Sequence, residues 1–158
     1  MKNALILLAG GKGRRLDSAK NTIPKQFIKI ENYNLIEHFL RNLDERIFDR
    51  ILIVANKSMQ KQYLSTLKKD FSKHQIKFIN SGKERQLSSK KGVYSLQKYC
   101  PKKVLIHDSA RPLASNKLIK RLLKSLDKYH SCAPFIINND FIKYKSKKNI
   151  FKHNQIMN

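Results

Sequence analysis

An unbroken apolar run, Ala4-Leu5-Ile6-Leu7-Leu8, passes directly into Ala9-Gly10-Gly11-Lys12-Gly13-Arg14-Arg15. A short continuous apolar segment closed by glycines predicts a strand buried on both faces, and strands of that kind belong to parallel sheets covered by helices. Ligands of such sheets bind at the carboxyl ends of the strands. Gly10, Gly11 and Gly13 leave no Cβ in the way and can adopt conformations closed to other residues, so backbone N–H groups can come close to phosphate oxygens. Lys12, Arg14 and Arg15 add cationic charge, with no acid before Asp17. A polyanion such as a nucleoside triphosphate suits this loop; a plain solvated turn is the alternative. The loop has neither the Gly-Lys-Ser/Thr ending of a Walker motif nor the third glycine of a dinucleotide fingerprint, since Leu16 stands there.

The remaining chain repeats the pattern of strand, turn and helix. Strands are expected at Asp49–Ala55, Gln75–Asn80, Val104–Ile106 and Cys132–Ile137. Helices are expected from Asn34, as cap, to Glu45, from Ser58 to Phe71, from Ser88 to Tyr99 with Val93, Leu96 and Tyr99 inward, and through Leu118, Ile119, Leu122, Leu123 and Leu126. Strands alternating with helices imply an α/β three-layer sheet of Rossmann-like type, mainly parallel, in one domain. At 158 residues, the chain is long enough for a substantial core.

Thirty-four Lys+Arg against 11 Asp+Glu give a formal charge of +23, but the lysines are spread over every segment, so basicity alone is weak evidence for nucleic acid. The tyrosines and phenylalanines fall mostly at core-facing positions, which argues against a base-stacking platform and against a specific nucleic-acid partner. Cys100 and Cys132 lack the spacing of a zinc site or a disulfide framework and are expected as buried thiols in a reducing cytosol. The N-terminal apolar run is too short for a signal peptide and nothing approaches the roughly 18 to 20 apolar residues of a membrane span, so the expected location is cytoplasmic, with no membrane partner.

Two further stretches carry chemistry. Pro24 fixes the backbone ahead of Lys25, which then leaves a rigid point rather than a mobile one, an ordinary surface lysine being the alternative. In His107-Asp108-Ser109-Ala110-Arg111-Pro112, an aspartate follows an apolar strand and can bind a metal, or it can pair with Arg111 to cap a turn.

Together, Ala9-Gly10-Gly11-Lys12-Gly13-Arg14-Arg15, Pro24-Lys25-Gln26-Phe27, Gly82-Lys83-Glu84-Arg85-Gln86-Leu87-Ser88 and His107-Asp108-Ser109-Ala110-Arg111-Pro112 resemble, in order and spacing, the motifs of the 2-C-methyl-D-erythritol 4-phosphate cytidylyltransferases and the related ribitol 5-phosphate cytidylyltransferases. The resemblance runs over roughly residues 3 to 143. It implies a nucleotidyltransferase fold and transfer of a cytidylyl group from CTP to a polyol phosphate, with release of pyrophosphate. Ala9, Gly10, Gly11 and Gly13 would then cradle the triphosphate, and Arg15 and Lys25 would be the catalytic cations on the α-phosphate. Gly82 and Ser88 would hold the cytosine, Ser109 would also belong to the nucleotide site, and Asp108 would bind Mg²⁺. Arg111, Asp140 and Lys143 would lie on the acceptor side.

The chain departs from the family pattern at several points. Gly10 replaces a usual second alanine, Ser109 a usual first alanine, and the stretch from Arg15 to Lys25 is longer than usual. In Asp140-Phe141-Ile142-Lys143, Phe141 stands where the family has a threonine hydroxyl near the acceptor phosphate. Lys152-His153-Asn154-Gln155 occupies the place of an arginine that reaches the acceptor across a dimer, so the resemblance implies a homodimer only with the family's later segment present. The expectation is a single, C-terminally incomplete cytidylyltransferase-like domain over 1–158 with an intact nucleotide half. The alternative from another class is a non-catalytic basic module that binds nucleotide or nucleic acid.

Overall fold

The computed structural model describes residues 2–11, 23–65 and 67–135, and the backbone of two strands at 142–145 and 150–153. The first apolar run forms β1 (Asn3–Leu8). A short antiparallel pair, β2 (Lys29–Ile30) and β3 (Tyr33–Asn34), leads into α1 (Leu35–Asn42). Asn34 caps α1 as expected: its side chain accepts from the Ile36 and Glu37 N–H groups, and the Glu37 carboxylate accepts from the Asn34 N–H, forming a capping box. β4 (Arg50–Ala55), α2 (Lys57–Tyr63), α3 (Leu67–Asp70), β5 (Ile76–Asn80), α4 (Arg85–Leu96), β6 (Lys103–Asp108) and α5 (Asn116–Ser125) follow.

The main sheet has the order β5-β4-β1-β6, all parallel, with Ala4 level with Arg50 on one side and Val104 on the other. Because successive side chains of a strand point to opposite faces, the apolar runs supply two cores at once. Leu5, Leu7, Ile51, Ile53 and Ala55 pack with Ile36, Phe39 and Leu40 of α1, Met59 of α2, Leu67 of α3 and Ile119 and Leu123 of α5. Ala4, Ile6, Leu52 and Val54 pack with Leu96 of α4 on the other face. The result is the expected three-layer, Rossmann-like α/β fold. The chain winds from β1 outward to β5, then crosses with α4 to β6, so the strand order reverses between β1 and β6. That reversal opens a crevice at the carboxyl ends of these two strands.

Several expectations need correction. The helix expected over Ser58–Phe71 is two, α2 and α3, parted at Leu64, whose φ of −121° and ψ of 7° end α2. Leu64 and Leu67 are both fully buried, and the weak helix formers Ser65 and Thr66 stand between them. α4 begins three residues earlier than Ser88 and turns Ser88, Gly92 and Leu96 inward, while Val93 is exposed. A Cβ on Gly92 would lie 2.9 Å from Ile6 Cγ2, so the small residue sets which side of α4 can reach the sheet. Residues 132–135 form no strand, and Cys100 and Cys132 are exposed rather than buried: one ends the 3-10 extension of α4 (Gln97–Tyr99), the other follows α5 on the surface. Beyond them, β7 (Ile142–Lys145) and β8 (Ile150–His153) pair antiparallel, a hairpin that the polar sequence there did not announce. No helix among the described residues is long and apolar enough to cross a membrane.

Candidate functional site

Four loops meet at the carboxyl end of the sheet. The first follows β1, where the Ala9 N–H donates to the Val54 carbonyl at 2.8 Å and so carries the β1–β4 pairing one residue past the strand. Gly10 and Gly11 come next. Neither is in the left-handed region, and a Cβ on Gly11 would meet nothing within 4 Å. Gly10 is needed for another reason: its Cβ would stand 2.7 Å from Ser81 Cβ, so the loops after β1 and β5 touch across the end of β4. The N–H groups of Gly10 and Gly11 have no partner among the described residues.

The loop after β5 brings Gly82 and Ser88 together. The Gly82 N–H donates to Ser88 Oγ at 3.0 Å, and this hydroxyl donates onward to the Glu84 carbonyl at 2.9 Å. A Cβ at Gly82 would come within 2.5 Å of Leu87 Cβ and 2.9 Å of the Leu87 carbonyl carbon, so only glycine fits against the first turn of α4. Behind β6, the buried Ser109 donates both its N–H (3.2 Å) and its hydroxyl (2.8 Å) to the Leu8 carbonyl. Its side chain thus ties the switch-point loops to each other.

Asp108 ends β6 and faces two guanidinium groups. Arg85 Nε and Nη2, at the start of α4, each lie 3.1 Å from Oδ1, and Arg111 Nε lies 3.6 Å from Oδ2. The Arg111 ion pair raised from sequence is present, and Arg85 adds a stronger one. His107 Nε2 donates to the Arg111 carbonyl at 2.9 Å while its ring stacks on Phe39, which holds this loop against α1. All three charged side chains are solvent-accessible, so each pair contributes only about 0.2–1 kcal/mol. A divalent cation carried by phosphates can displace them. No cluster of three or more His, Cys, Asp or Glu able to hold a metal is found among the described residues. A single carboxylate fits Mg²⁺ bound mainly through substrate phosphates and water, and does not fit a metal caged by protein alone.

The fourth loop is the 3-10 turn Lys25–Phe27, entered from Pro24. Phe27 is buried and stacks on Tyr63 with ring centroids 4.5 Å apart, and Gln26 is buried against the first loop, donating to the Ala9 and Gly11 carbonyls. Between two anchored neighbours, Lys25 is exposed, and its ammonium has no partner among the described residues. The rigid presentation expected from Pro24 is therefore reinforced from the other side. Ala9, Gly10, Gly11, Lys25, Gly82, Ser88, Asp108, Ser109 and Arg111 are brought to one end of the sheet. Gly13, Arg15 and Asp140 lie outside the described residues, and Lys143 stands on β7 opposite Lys152. Sequence reasoning assigned no role to Gln26, Ser81 or Arg85. Gln26 and Arg85 stand in polar stretches, where no local signal marks a buried or paired side chain.

A family model for IspD, 2-C-methyl-D-erythritol 4-phosphate cytidylyltransferase, matches residues 3–155. The chain belongs to the IspD family. The IspD protein of Clostridium botulinum (strain 657 / Type Ba4), a 2-C-methyl-D-erythritol 4-phosphate cytidylyltransferase, is 32% identical over 148 residues, which are 93% of this chain and 63% of the relative. This IspD-family chain thus spans somewhat under two thirds of the length of the curated relatives it matches. In fold it is similar to the crystal structure of 4-diphosphocytidyl-2C-methyl-D-erythritol synthase from Anaerococcus prevotii, with a TM-score of 0.73 at 21% identity over 97% of this chain and 64% of that one. A Mycobacterium tuberculosis protein crystallised with manganese shares the fold more distantly, with a TM-score of 0.52 at 10% identity over 78% of this chain and 59% of that one.

Proposed function

We propose that the crevice binds CTP together with a divalent cation, and that within the whole protein it is the nucleotide half of a cytidylyltransferase acting on 2-C-methyl-D-erythritol 4-phosphate in isoprenoid synthesis. The observation that carries this reading is the meeting of the Ala9–Gly11, Lys25–Phe27, Gly82–Ser88 and Asp108–Arg111 loops at one switch point. Family membership and the names of the relatives support the base and the acceptor; ribitol 5-phosphate is the alternative acceptor.

In this reading, the N–H groups of Gly10 and Gly11 meet the phosphates and the turn at Gly82 and Ser88 holds the cytosine. An oxygen of the acceptor's phosphate attacks the α-phosphorus of CTP, the bond from that phosphorus to the bridging oxygen breaks, and pyrophosphate leaves with the electron pair. Little base catalysis is needed, because a phosphate is already ionised. Positioning and cationic stabilisation do most of the work. Lys25, held on its locked turn, and Arg15 supply fixed positive charge at the α-phosphate. Mg²⁺, held by Asp108 and the phosphates, would neutralise the charge that builds on the leaving pyrophosphate. Arg111 is proposed for the acceptor side with Asp140 and Lys143, and a homodimer for the whole protein. Two soluble phosphorylated substrates imply a cytoplasmic reaction.

Isothermal titration of the 158-residue chain with CTP, ATP and GTP in Mg²⁺ tests this. CTP is expected to bind most tightly, and the binding to weaken when Arg15 or Lys25 is replaced by Ala. Equal affinities for the three would remove the base selection, and no binding would remove the nucleotide site.

A further inference from the structure

Gln26 is only 2% exposed, and its side-chain Nε2 donates to two carbonyls of the first loop, Ala9 at 2.7 Å and Gly11 at 2.9 Å. These bonds join segments 17 and 15 positions apart. Burying an amide only to satisfy two loop carbonyls yields little net stability, since a protein hydrogen bond exchanges for one to water. Its effect is geometric. In a trans peptide the N–H points opposite to the C=O, so fixing the Ala9 carbonyl on the Gln26 side turns the Gly10 N–H the other way. That N–H is one of the two without a partner among the described residues. On the same rigid turn, one residue earlier, stands Lys25, whose ammonium has no partner among the described residues.

We propose that Gln26 is a positioning residue for the triphosphate: it fixes the Gly10 N–H and the Lys25 ammonium relative to each other, so that the two act on one polyanion as a unit. The inference rests on the CTP reading above. A role confined to stability would affect every ligand alike. A positioning role acts where the phosphates are, and leaves the nucleoside end alone.

The test compares CTP with CMP, both by titration in Mg²⁺, on the wild-type chain and on Gln26→Met, which keeps length and volume but has no donor. Loss of the clamp is expected to weaken CTP about tenfold or more, the worth of one to two net hydrogen bonds, with CMP changed far less. Equal weakening of both, or unchanged CTP affinity in folded protein, overturns the inference while the CTP site stands. Failure of the wild-type chain to bind CTP removes the functional reading itself, and this inference with it. Should the variant not fold, the ¹⁵N-labelled wild-type chain decides. The Gln26 side-chain NH₂ resonances should shift on adding inorganic triphosphate and stay in place with cytidine. Resonances unmoved by saturating triphosphate, or moved equally by cytidine, overturn it.

Discussion

Gly10 shows how a residue legible in the sequence can be needed for a different reason than the one inferred. It reads as a phosphate-loop glycine with special backbone freedom, yet its backbone lies outside the left-handed region; what it lacks room for is a Cβ, because Ser81 stands there. An alanine at this position would collide in this chain, so the glycine and Ser81 form a complementary pair. Gly10→Ala is expected to destabilise the fold by about 1–3 kcal/mol, the usual effect of overpacking, or several degrees in Tm. Adding Ser81→Gly should restore most of the loss. A double-mutant cycle in urea measures this coupling, and additive effects of the two changes would show that the loops do not meet there. Asp108 was legible as a strand-end carboxylate of the crevice. Its tie to Arg85 was not, because a contact between the start of a helix and a strand 23 positions later leaves no periodic mark. Gln26 was invisible as a buried residue for a related reason, since a glutamine in a polar stretch carries no sign of facing inward.

At the level of elements, the buried strands of the main sheet were the most legible parts because their signal is local and twofold: β1 and β4 are apolar at every position between their ends, so either pleat face finds a core. Helices were legible where one stripe is apolar, as in α1 and α5. α4 carries no such stripe. Its inward side is Ser88, Gly92 and Leu96, chosen by close approach rather than by hydrophobicity, and so Val93 misled. Gly92→Ala isolates that choice. Alanine in place of glycine in a helix gains about 1 kcal/mol of propensity, yet here the new methyl would press on Ile6 and Val54, both fully buried. The net effect is expected to be a loss of about 1 kcal/mol or more, as overpacking outweighs propensity. A higher urea midpoint for the variant would show that α4 can move away from β1 at little cost.

For the whole molecule, acid should weaken the fold before carboxylates begin to titrate. His74 is buried between α3 and β5 with no partner for its Nδ1 among the described residues, and burial lowers its pKa below the ordinary value of 6.5. The unfolded chain therefore takes up a proton that the folded chain refuses. Stability from this group is full above about pH 6.5 and falls as the pH drops from there toward the folded value. His74→Leu should flatten that part of the curve, read as the urea midpoint from about pH 7.5 down to 5; an unchanged slope would assign the acid sensitivity to other groups. Below this window Asp44 takes over. Hydrogen bonds from Arg46 and Lys120 hold its carboxyl well below the usual range, so its contribution is present above about pH 4 and is lost as the pH falls further. The strand order has a consequence for how the chain is made. β1 is synthesised before the strands it pairs with: β4 follows about fifty residues later, but the other edge of β1 waits for β6, and the Ser109 hydroxyl that fastens the crevice to Leu8 is 101 positions downstream. Through much of synthesis the nascent chain thus presents one bare strand edge, the kind of surface that recruits wrong partners. A chaperone holding β1 during that interval would protect an element on which both the sheet and the proposed nucleotide site depend.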